Sequence, residues 1–288
     1  MRSMINGGMA LIRECMSSIN RPEQKAAKYI LENPEEIIRL SIQELAKRSD
    51  SSPSAIIRLC KTTGMDGFRD LKLRVAGDLQ TAANGGEEFK EVQPNDDVPT
   101  LIETITNNSM YSLKESLKVL DPEKIEQAVE ALHLANRIDF YAAGASQLAA
   151  IDGQHKFMRI NKHCTAYMDS HMQLTSAVTL GSNDVAVGIS YSGETVHVIE
   201  AIKQAKENGA LTIGLTKFGT NGLAKEVDIH LETLSSESDM RSAATSSRIV
   251  QLNVIDILFI GAAGRNYDPS IDYLRKSRNA IQQSYRRK

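Results

Sequence analysis

The chain has 288 residues, of which 41% are hydrophobic and 24% charged, and its formal net charge is −2. This composition is typical of an ordinary soluble globular protein, and the length leaves room for two domains. The first twenty residues lack a signal-peptide pattern and no run reaches the roughly 18 apolar residues of a membrane helix, so we predict a cytoplasmic protein with no membrane partner.

The first 80 residues are predicted to be helical. One helix starts at Pro22, and the next starts at Ser41, where Glu44 three residues later completes a capping box. A third helix runs from Pro53 to Gly64, after a serine cap. About four polar residues join the second and third of these helices, which is the spacing of a helix-turn-helix.

A basic stretch coincides with these helices. Lys47–Arg74 contains seven Lys and Arg residues against three Asp, a surplus of four positive charges in an acidic chain. Small residues and cations on the third helix are expected to face away from its apolar side, Ile56, Ile57, Leu59 and Cys60, and to contact DNA bases or phosphates. The predicted DNA-binding residues are Ser51, Ser52, Ser54, Ala55, Arg58, Lys61, Arg69 and Lys72. The alternative is a small helical bundle that only packs its own core.

The next helix, "GFRDLKLRVAGDL", is predicted to be amphipathic. Its inward side chains are expected to be Phe68, Leu71, Leu73 and Val75. Its outward cations, Arg69, Lys72 and Arg74, could contact a phosphate backbone. Residues 80–100 are rich in Gly, Asn, Asp, Glu and Pro and follow neither period, which indicates a linker. We predict a helix-turn-helix domain over 1–80, a linker over 81–105 and an α/β domain over 106–288.

The second domain shows strands that alternate with helical segments. Candidate strands are 137–144, 164–169, 184–190, 211–216 and 227–233. Several are nearly continuous apolar runs, as in parallel strands buried on both faces. The pattern predicts a five-stranded parallel sheet in a doubly wound three-layer α/β sandwich. A long apolar helix follows the last strand and is expected to be buried or at a subunit contact.

Two strand ends carry candidate ligand loops. Gly144 permits a tight turn before Ser146 opens a helix, and "SYSGET" places Ser190, Ser192 and Thr195 before another helix. Ligands of open parallel sheets bind at the carboxyl ends of strands, and a helix N-terminus attracts anions. A phosphate ligand is one interpretation, and simple caps and turns are the other. Neither the dinucleotide glycine pattern nor a Gly-Lys-Ser/Thr phosphate loop is present.

The two loops resemble those of a known family. "ISYSGET" resembles the Ser-x-Ser-Gly-x-Thr signature of sugar isomerase (SIS) domains, and "GAS" resembles their other sugar-phosphate loop. A helix-turn-helix joined to a SIS domain is the architecture of the RpiR/MurR family of bacterial transcriptional regulators. The stretches "AIIRLCKTTGMDGFRDLKLRVAGDL" and "RSAATSSRIVQLNVIDILFIG" are similar to its MurR/YbbH branch.

The resemblance implies a homodimeric or homotetrameric regulator, a repressor or an activator, that binds operator DNA and senses a phosphosugar. Nearness to the MurR branch suggests N-acetylmuramic acid 6-phosphate or a related amino-sugar phosphate. Ser190, Ser192 and Thr195 would bind the phosphate, and Ser146 the sugar or phosphate. The residues expected at the ligand are Gly144, Ala145, Ser146, Ser190, Tyr191, Ser192, Gly193, Thr195, Arg241 and Ser242. Those from Arg241 to Ser247 could close over the ligand or only cap the following helix.

An enzyme is the rival interpretation. SIS isomerases and etherases need a general base, and the candidates here are Glu194, Glu237, His155 and His171. None matches an enzyme motif, so we predict no catalysis. A non-catalytic sugar-phosphate adaptor for a protein partner is the third possibility. Cys15, Cys60 and Cys164 are far apart and lack metal-ligand spacing, so we expect reduced, buried thiols, no metal and no cofactor.

Overall fold

The computed structural model describes residues 7–16, 19–83, 89–90, 92–235 and 244–286. The chain forms two compact units. The first comprises Met1–Val119 together with Leu234–Ser247, and the second comprises Leu120–Thr233 together with Arg248–Lys288.

The first unit is helical. Its helices are α1 (Gly8–Cys15), α2 (Arg21–Glu32), α3 (Pro34–Ile37), α4 (Ile42–Arg48), α5 (Pro53–Thr62), α6 (Phe68–Ala83) and α7 (Val98–Ser116). The predicted capping box is confirmed, because Glu44 N donates to Ser41 Oγ at 3.2 Å and Ser41 N donates to Glu44 Oε2 at 2.7 Å. Ser52 caps α5 by accepting from Ala55 N at 3.2 Å. Four residues therefore separate α4 from α5, and the predicted helix-turn-helix is confirmed.

The packing of α5 and α6 corrects three predictions. Ala55, predicted to face DNA, is 0% exposed, whereas Ile57, predicted to face the core, is 37% exposed. Both belong to α5, which packs against α2, α4 and α6. Leu73 of α6, predicted to face inward, is 51% exposed, while Leu71 and Val75 are buried.

Helical residues extend into the range predicted as linker. Helix α6 continues to Ala83, and α7 begins at Val98. Asp97 caps α7 by accepting from Thr100 N at 2.9 Å, with Pro99 in the first turn, where its missing N–H is no loss. Ser116, at the end of α7, exchanges hydrogen bonds with both backbone groups of Leu234. That contact places the residues after the last strand in the first unit.

The second unit contains the predicted sheet. Its strands are β1 (Arg137–Ala142), β2 (His163–Thr165), β3 (Asp184–Ile189), β4 (Leu211–Lys217) and β5 (Ile229–Thr233). All neighbours are parallel, in the order β2-β1-β3-β4-β5. Strand β2 is shorter than the predicted 164–169. The chain steps from β1 outward to β2 and then back to β3 on the other side of β1, so the strand order reverses between β1 and β3.

Helices cover both faces of the sheet. They are α8 (Pro122–Leu134), α9 (Ser146–Met158), α10 (Ser170–Ala177), α11 (Val196–Glu207), α12 (Thr245–Arg265) and α13 (Tyr267–Arg286), with a short 3-10 turn at Leu223–Lys225. Apolar residues of α8, α9 and α12 share one core with alternate strand residues, and residues of α10 and α11 share the core of the opposite face. The predicted doubly wound three-layer fold is therefore confirmed.

Helix α12 is the long apolar helix expected after the last strand. Among the described residues it alone has the length and composition to cross a membrane, a test that the core helix of a soluble protein also passes. Its Val254, Ile255 and Leu258 are buried in the core with the strands. Helix α13, which follows it, was not predicted.

Candidate functional site

The two candidate ligand loops follow neighbouring strands at the point where the strand order reverses. Strand β1 ends at Ala142, which pairs with Ile189, the last residue of β3. The loops that begin at Ala143 and Ser190 therefore leave the same edge of the sheet side by side. This crevice outside the carboxyl ends of the strands is where open parallel sheets bind ligands.

Hydroxyl groups close the loop after β3. Ser190 is buried, and its Oγ lies 2.8 Å from Thr195 Oγ1. Ser190 Oγ also accepts from Gly193 N at 3.2 Å. Ser192 is exposed, and its Oγ accepts from Glu194 N at 3.2 Å. Thr195 is the N-cap residue of α11 but makes no side-chain cap bond, so its hydroxyl stays with Ser190.

Gly193 is required at its position. Its φ is +69°, and a Cβ there would lie 2.0 Å from Asn221 Oδ1. Asn221 cannot withdraw freely, because its Nδ2 donates to Thr216 Oγ1 at 2.9 Å and its Oδ1 accepts from Ala224 N at 2.9 Å. Leu223 N also donates to Gly193 O at 2.8 Å. The segment after β4 thus holds the loop after β3 in place.

Glu194 has a structural partner. Its Oε1 accepts from Gly222 N at 2.9 Å, which adds a second tie between the two segments. Of the other candidate bases, His155 on α9 and His171 on α10 are exposed. Glu237 lies outside the described residues.

The loop after β1 presents Ser146. Gly144 has a φ of +56° and open space around its missing Cβ, so the glycine serves backbone conformation alone. Ser146 is buried at the start of α9, and its Oγ accepts from Gln251 Nε2 of α12 at 3.1 Å. Sequence reasoning missed Gln251, since nothing local marks a partner 105 positions away.

Two buried glutamines lie beside the same loop. Gln173 Nε2 donates to Ala142 O at 2.8 Å and to Tyr167 O at 2.7 Å, and Gln147 Nε2 donates to Tyr167 O at 3.3 Å. These bonds tie the residues after β2 to the end of β1. Both side-chain oxygens are buried and have no hydrogen-bond partner in the described part of the chain. Neither glutamine was predicted.

A third set of polar contacts joins β4 to β5 and to the loop after β4. Thr216 Oγ1 lies 2.7 Å from His230 Nε2, and Gly219 N donates to Glu232 Oε1 at 3.0 Å. Burial lowers the pKa of His230, an effect that nearby Lys124 reinforces and Glu232 opposes. The imidazole is therefore neutral at neutral pH.

Several predicted residues fall elsewhere. Arg241 and Ser242 lie outside the described residues.

Cys15 and Cys60 are buried and Cys164 is half-buried, and burial raises the pKa of both Cys60 and Cys164 to about 11. Those thiols are unreactive at neutral pH. In the described ranges, no group of three or more His, Cys, Asp or Glu residues is placed to hold a metal ion.

The candidate nucleic-acid interface is the exposed face of α5. Ser54, Ile57, Arg58 and Lys61 share that face, and Ser51 and Ser52 are half-buried at its start. Ser54 Oγ lies 2.9 Å from Ser52 Oγ. Arg58 Nε donates to Glu23 Oε1 of α2 at 2.8 Å. Ile57, and not the predicted Ala55, is the apolar side chain exposed on this face.

The cations of α6 differ in availability. Arg69 is exposed. Lys72 Nζ donates to Leu40 O at 3.1 Å and lies 5.5 Å from the centre of the Phe68 ring. Arg74 pairs with Asp70 at 3.2 Å. Arg69 is therefore the α6 cation best placed to contact phosphate.

Comparison with known proteins covers both units. Residues 6–82 match the family described as helix-turn-helix domain, rpiR family, and residues 131–261 match the SIS domain. The match to the SIS domain includes both candidate ligand loops, and the match to the helix-turn-helix domain includes α4 and α5.

Whole-length relatives agree. An uncharacterized HTH-type transcriptional regulator of Caldanaerobacter subterraneus is 47% identical over 95% of this chain and 96% of its own length. The uncharacterized HTH-type transcriptional regulator YbbH of Bacillus subtilis is 38% identical over 97% of this chain and 98% of its own length. The fold is shared with the Vibrio vulnificus NanR protein complexed with ManNAc-6P, with a TM-score of 0.60 and 22% identity over 96% of this chain and 98% of that one.

Proposed function

Since this chain belongs to the RpiR family of helix-turn-helix transcriptional regulators that carry a SIS domain, we propose that it represses sugar-catabolism genes. A phosphosugar that binds the SIS domain releases the protein from its operator DNA. The phosphosugar binds at the loops after β1 and β3. The protein acts in the cytoplasm as a homodimer or homotetramer and catalyses no reaction on its effector.

One observation carries the phosphate assignment. The Ser190 and Thr195 hydroxyls, 2.8 Å apart, sit where the strand order reverses and where α11 begins. The positive end of the α11 dipole favours an anion there, and hydroxyls that now bond to each other can donate to phosphate oxygens instead. Ser192 and Ser146 supply further donors from the two loops. Gly144, Ala145, Tyr191 and Gly193 contribute backbone to the same crevice.

The absence of catalysis is supported by Glu194. A general base must be positioned against the sugar carbon, whereas the Glu194 carboxylate lies against the segment after β4, where its Oε1 accepts from the Gly222 amide. The carboxylate braces the phosphate loop. The relatives from Caldanaerobacter subterraneus and Bacillus subtilis, which match nearly the whole chain, are named as transcriptional regulators.

The effector is proposed to be an N-acetylated amino-sugar 6-phosphate. N-acetylmuramic acid 6-phosphate is the first candidate, from the likeness to the MurR branch. ManNAc-6P, bound by the fold-sharing NanR, is the second. The phosphate contacts alone do not choose between sugar rings, so a panel of sugars is part of the test.

DNA binding follows the geometry of helix-turn-helix dimers. A dimer would place two α5 helices in successive major grooves of a palindromic operator, with Ser54, Ile57, Arg58 and Lys61 facing the bases and phosphates. An effector that binds one subunit arrangement more tightly shifts the population. A coupling of about 1–3 kcal/mol changes DNA affinity about 5- to 150-fold.

The test combines binding and function. Thermal unfolding of the full chain is measured with each sugar phosphate and with the matching sugar that lacks phosphate, because a specific ligand stabilises the folded state. We expect a phosphate-dependent rise for one of the amino-sugar phosphates, and its loss in Ser190→Ala. A gel-shift titration on operator DNA should then show release by that ligand only. Unchanged DNA affinity with every sugar phosphate would refute the regulatory coupling, and turnover of the ligand would favour the enzyme.

A further inference from the structure

The Arg58 side chain is held by a buried carboxylate from another helix. Glu23, on the first turn of α2, has a side chain only 4% exposed, and its Oε1 accepts from Arg58 Nε at 2.8 Å. The Arg58 side chain is 53% exposed on the recognition face of α5. One end of this ion pair is therefore in the protein interior and the other is on the surface proposed to meet DNA.

The atom that Glu23 takes determines what Arg58 can still do. A guanidinium carries five N–H donors in a plane, one on Nε and four on the two Nη atoms. The contact with Glu23 uses Nε, and no acceptor for Nη1 or Nη2 is found among the described residues. The Nη edge is left as a fork of two parallel donors, which matches O6 and N7 of guanine in the major groove.

A purely structural tie explains the contact less well. A carboxylate buried this deeply loses hydration, and a partner half in water returns little of that energy. An apolar side chain would pack α2 against α5 without that loss. What the carboxylate adds is a fixed direction for a long cation that would otherwise sample many rotamers.

We propose that Glu23 is a positioning residue for base recognition: by holding Nε of Arg58 it aims the Nη fork at a guanine in each operator half-site. The proposal rests on the proposed DNA-binding function and names the base that its recognition helix reads. Lys61, one turn further along α5, lacks such a fork and serves as a phosphate contact.

The experiment selects preferred sequences from a randomised duplex DNA library with the full-length protein. The variants are Glu23→Met, which removes the acceptor at similar volume, Glu23→Gln, whose side-chain oxygen still accepts from Nε, and Arg58→Lys, which keeps the charge without the fork. Glu32→Met is the matched control, since Glu32 lies on the same helix and is exposed. Thermal unfolding of each variant checks that it folds.

We expect the wild-type protein and Glu32→Met to select a guanine at one position of each half-site. Glu23→Met and Arg58→Lys should lose about 10-fold or more of the preference for guanine over adenine there. Glu23→Gln should keep a larger part of it. Glu23→Met added to Arg58→Lys should cause no further loss, because Glu23 acts through Arg58.

Three results would overturn the proposal. In one, Glu23→Met and Glu23→Gln select the wild-type motif unchanged. In another, Glu23→Met weakens binding to all sequences equally and does so again in the Arg58→Lys background, as a structural tie would. In the third, which applies if Glu23→Met does not fold, Arg58→Lys keeps the preference for guanine, so the Nη donors of Arg58 do not read that base. Failure of the proposed function itself looks different, since the wild-type protein would then select no motif at all.

Discussion

Gln251 of α12 donates a hydrogen bond from Nε2 to the Oγ of Ser146, 3.1 Å away, and Ser146 is the first residue of α9. Both side chains are buried, so the Ser146 hydroxyl has a fixed partner at the start of α9. Helix α12 thereby contacts one of the two candidate ligand loops, although it belongs to neither.

Replacement of Gln251 should weaken effector binding. Gln251→Leu removes the donor that orients Ser146, and the loss of one oriented hydrogen bond corresponds to about 1 kcal/mol, or about 5-fold in dissociation constant. Isothermal titration with the sugar phosphate that stabilises the protein measures this. Gln283→Leu, on the exposed end of α13, is the control and should bind as the wild-type protein does. Equal affinity of the two variants would show that Ser146 needs no partner.

The two loop glycines should differ in their tolerance of alanine. Gly144→Ala meets only left-handed backbone strain, about 1 kcal/mol, because space is open around its Cβ. Gly193→Ala adds a clash with Asn221 to the same strain and should destabilise the protein at least twice as much. Urea unfolding of both variants measures the difference. A smaller effect at Gly193 would mean that the loop after β3 is not braced by Asn221.

Acidification should destabilise the protein through His230. Burial lowers its folded-state pKa below the ordinary value of 6.5. Between those two pKa values the unfolded chain binds more protons, so stability is complete above about pH 6.5 and falls as the pH drops below it. The free energy of unfolding, measured from pH 7.5 to 5, should decline less steeply in His230→Gln. Glu232 and Lys124 face the same ring, so the matched variant Glu232→Gln should make the decline steeper.

The salt dependence of DNA binding should show whether Lys61 contacts a DNA phosphate. A phosphate contact releases counterions, so affinity falls as salt rises. Lys61→Gln should make the plot of log affinity against log salt less steep, by about 0.9 for each α5 helix that binds DNA. Affinity should fall similarly for specific and random duplexes, since phosphates carry no sequence information. Lys276→Gln, on α13 in the other compact unit, should leave the slope unchanged. Fluorescence anisotropy across 50–300 mM salt, a range of about sixfold, makes the comparison.

Local patterns predicted most of the fold. The capping box at Ser41, the serine cap of α5 and the five apolar strands depend on residues that are neighbours in the sequence, and all were found. Which residues of α5 are buried was harder to predict. Ile57 and Ala55 exchange their expected places because burial depends on where α2 and α4 lie, which the period of α5 alone does not specify.

The site was predicted in outline only. "SYSGET" and "GAS" point to hydroxyls at strand ends, but the residues that hold them come from distant segments: Asn221 and Gly222 from beyond β4, and Gln251 from α12. Glu194 illustrates the limit, since a glutamate in a sugar-phosphate loop suggests a base until its backbone partner, 28 residues away, is known. Only the folded sheet brings these segments together.

The brace around Gly193 has a consequence for the kinetics of sensing. The loop after β3 is held in its folded shape by Asn221, Leu223 and Glu194 before any ligand arrives, so little ordering remains to slow association. Sugar phosphates should then enter at similar speeds whatever their ring, and discrimination should lie in how long each one stays. If the proposed sensing holds, that residence time limits how fast the protein can respond when its sugar is removed.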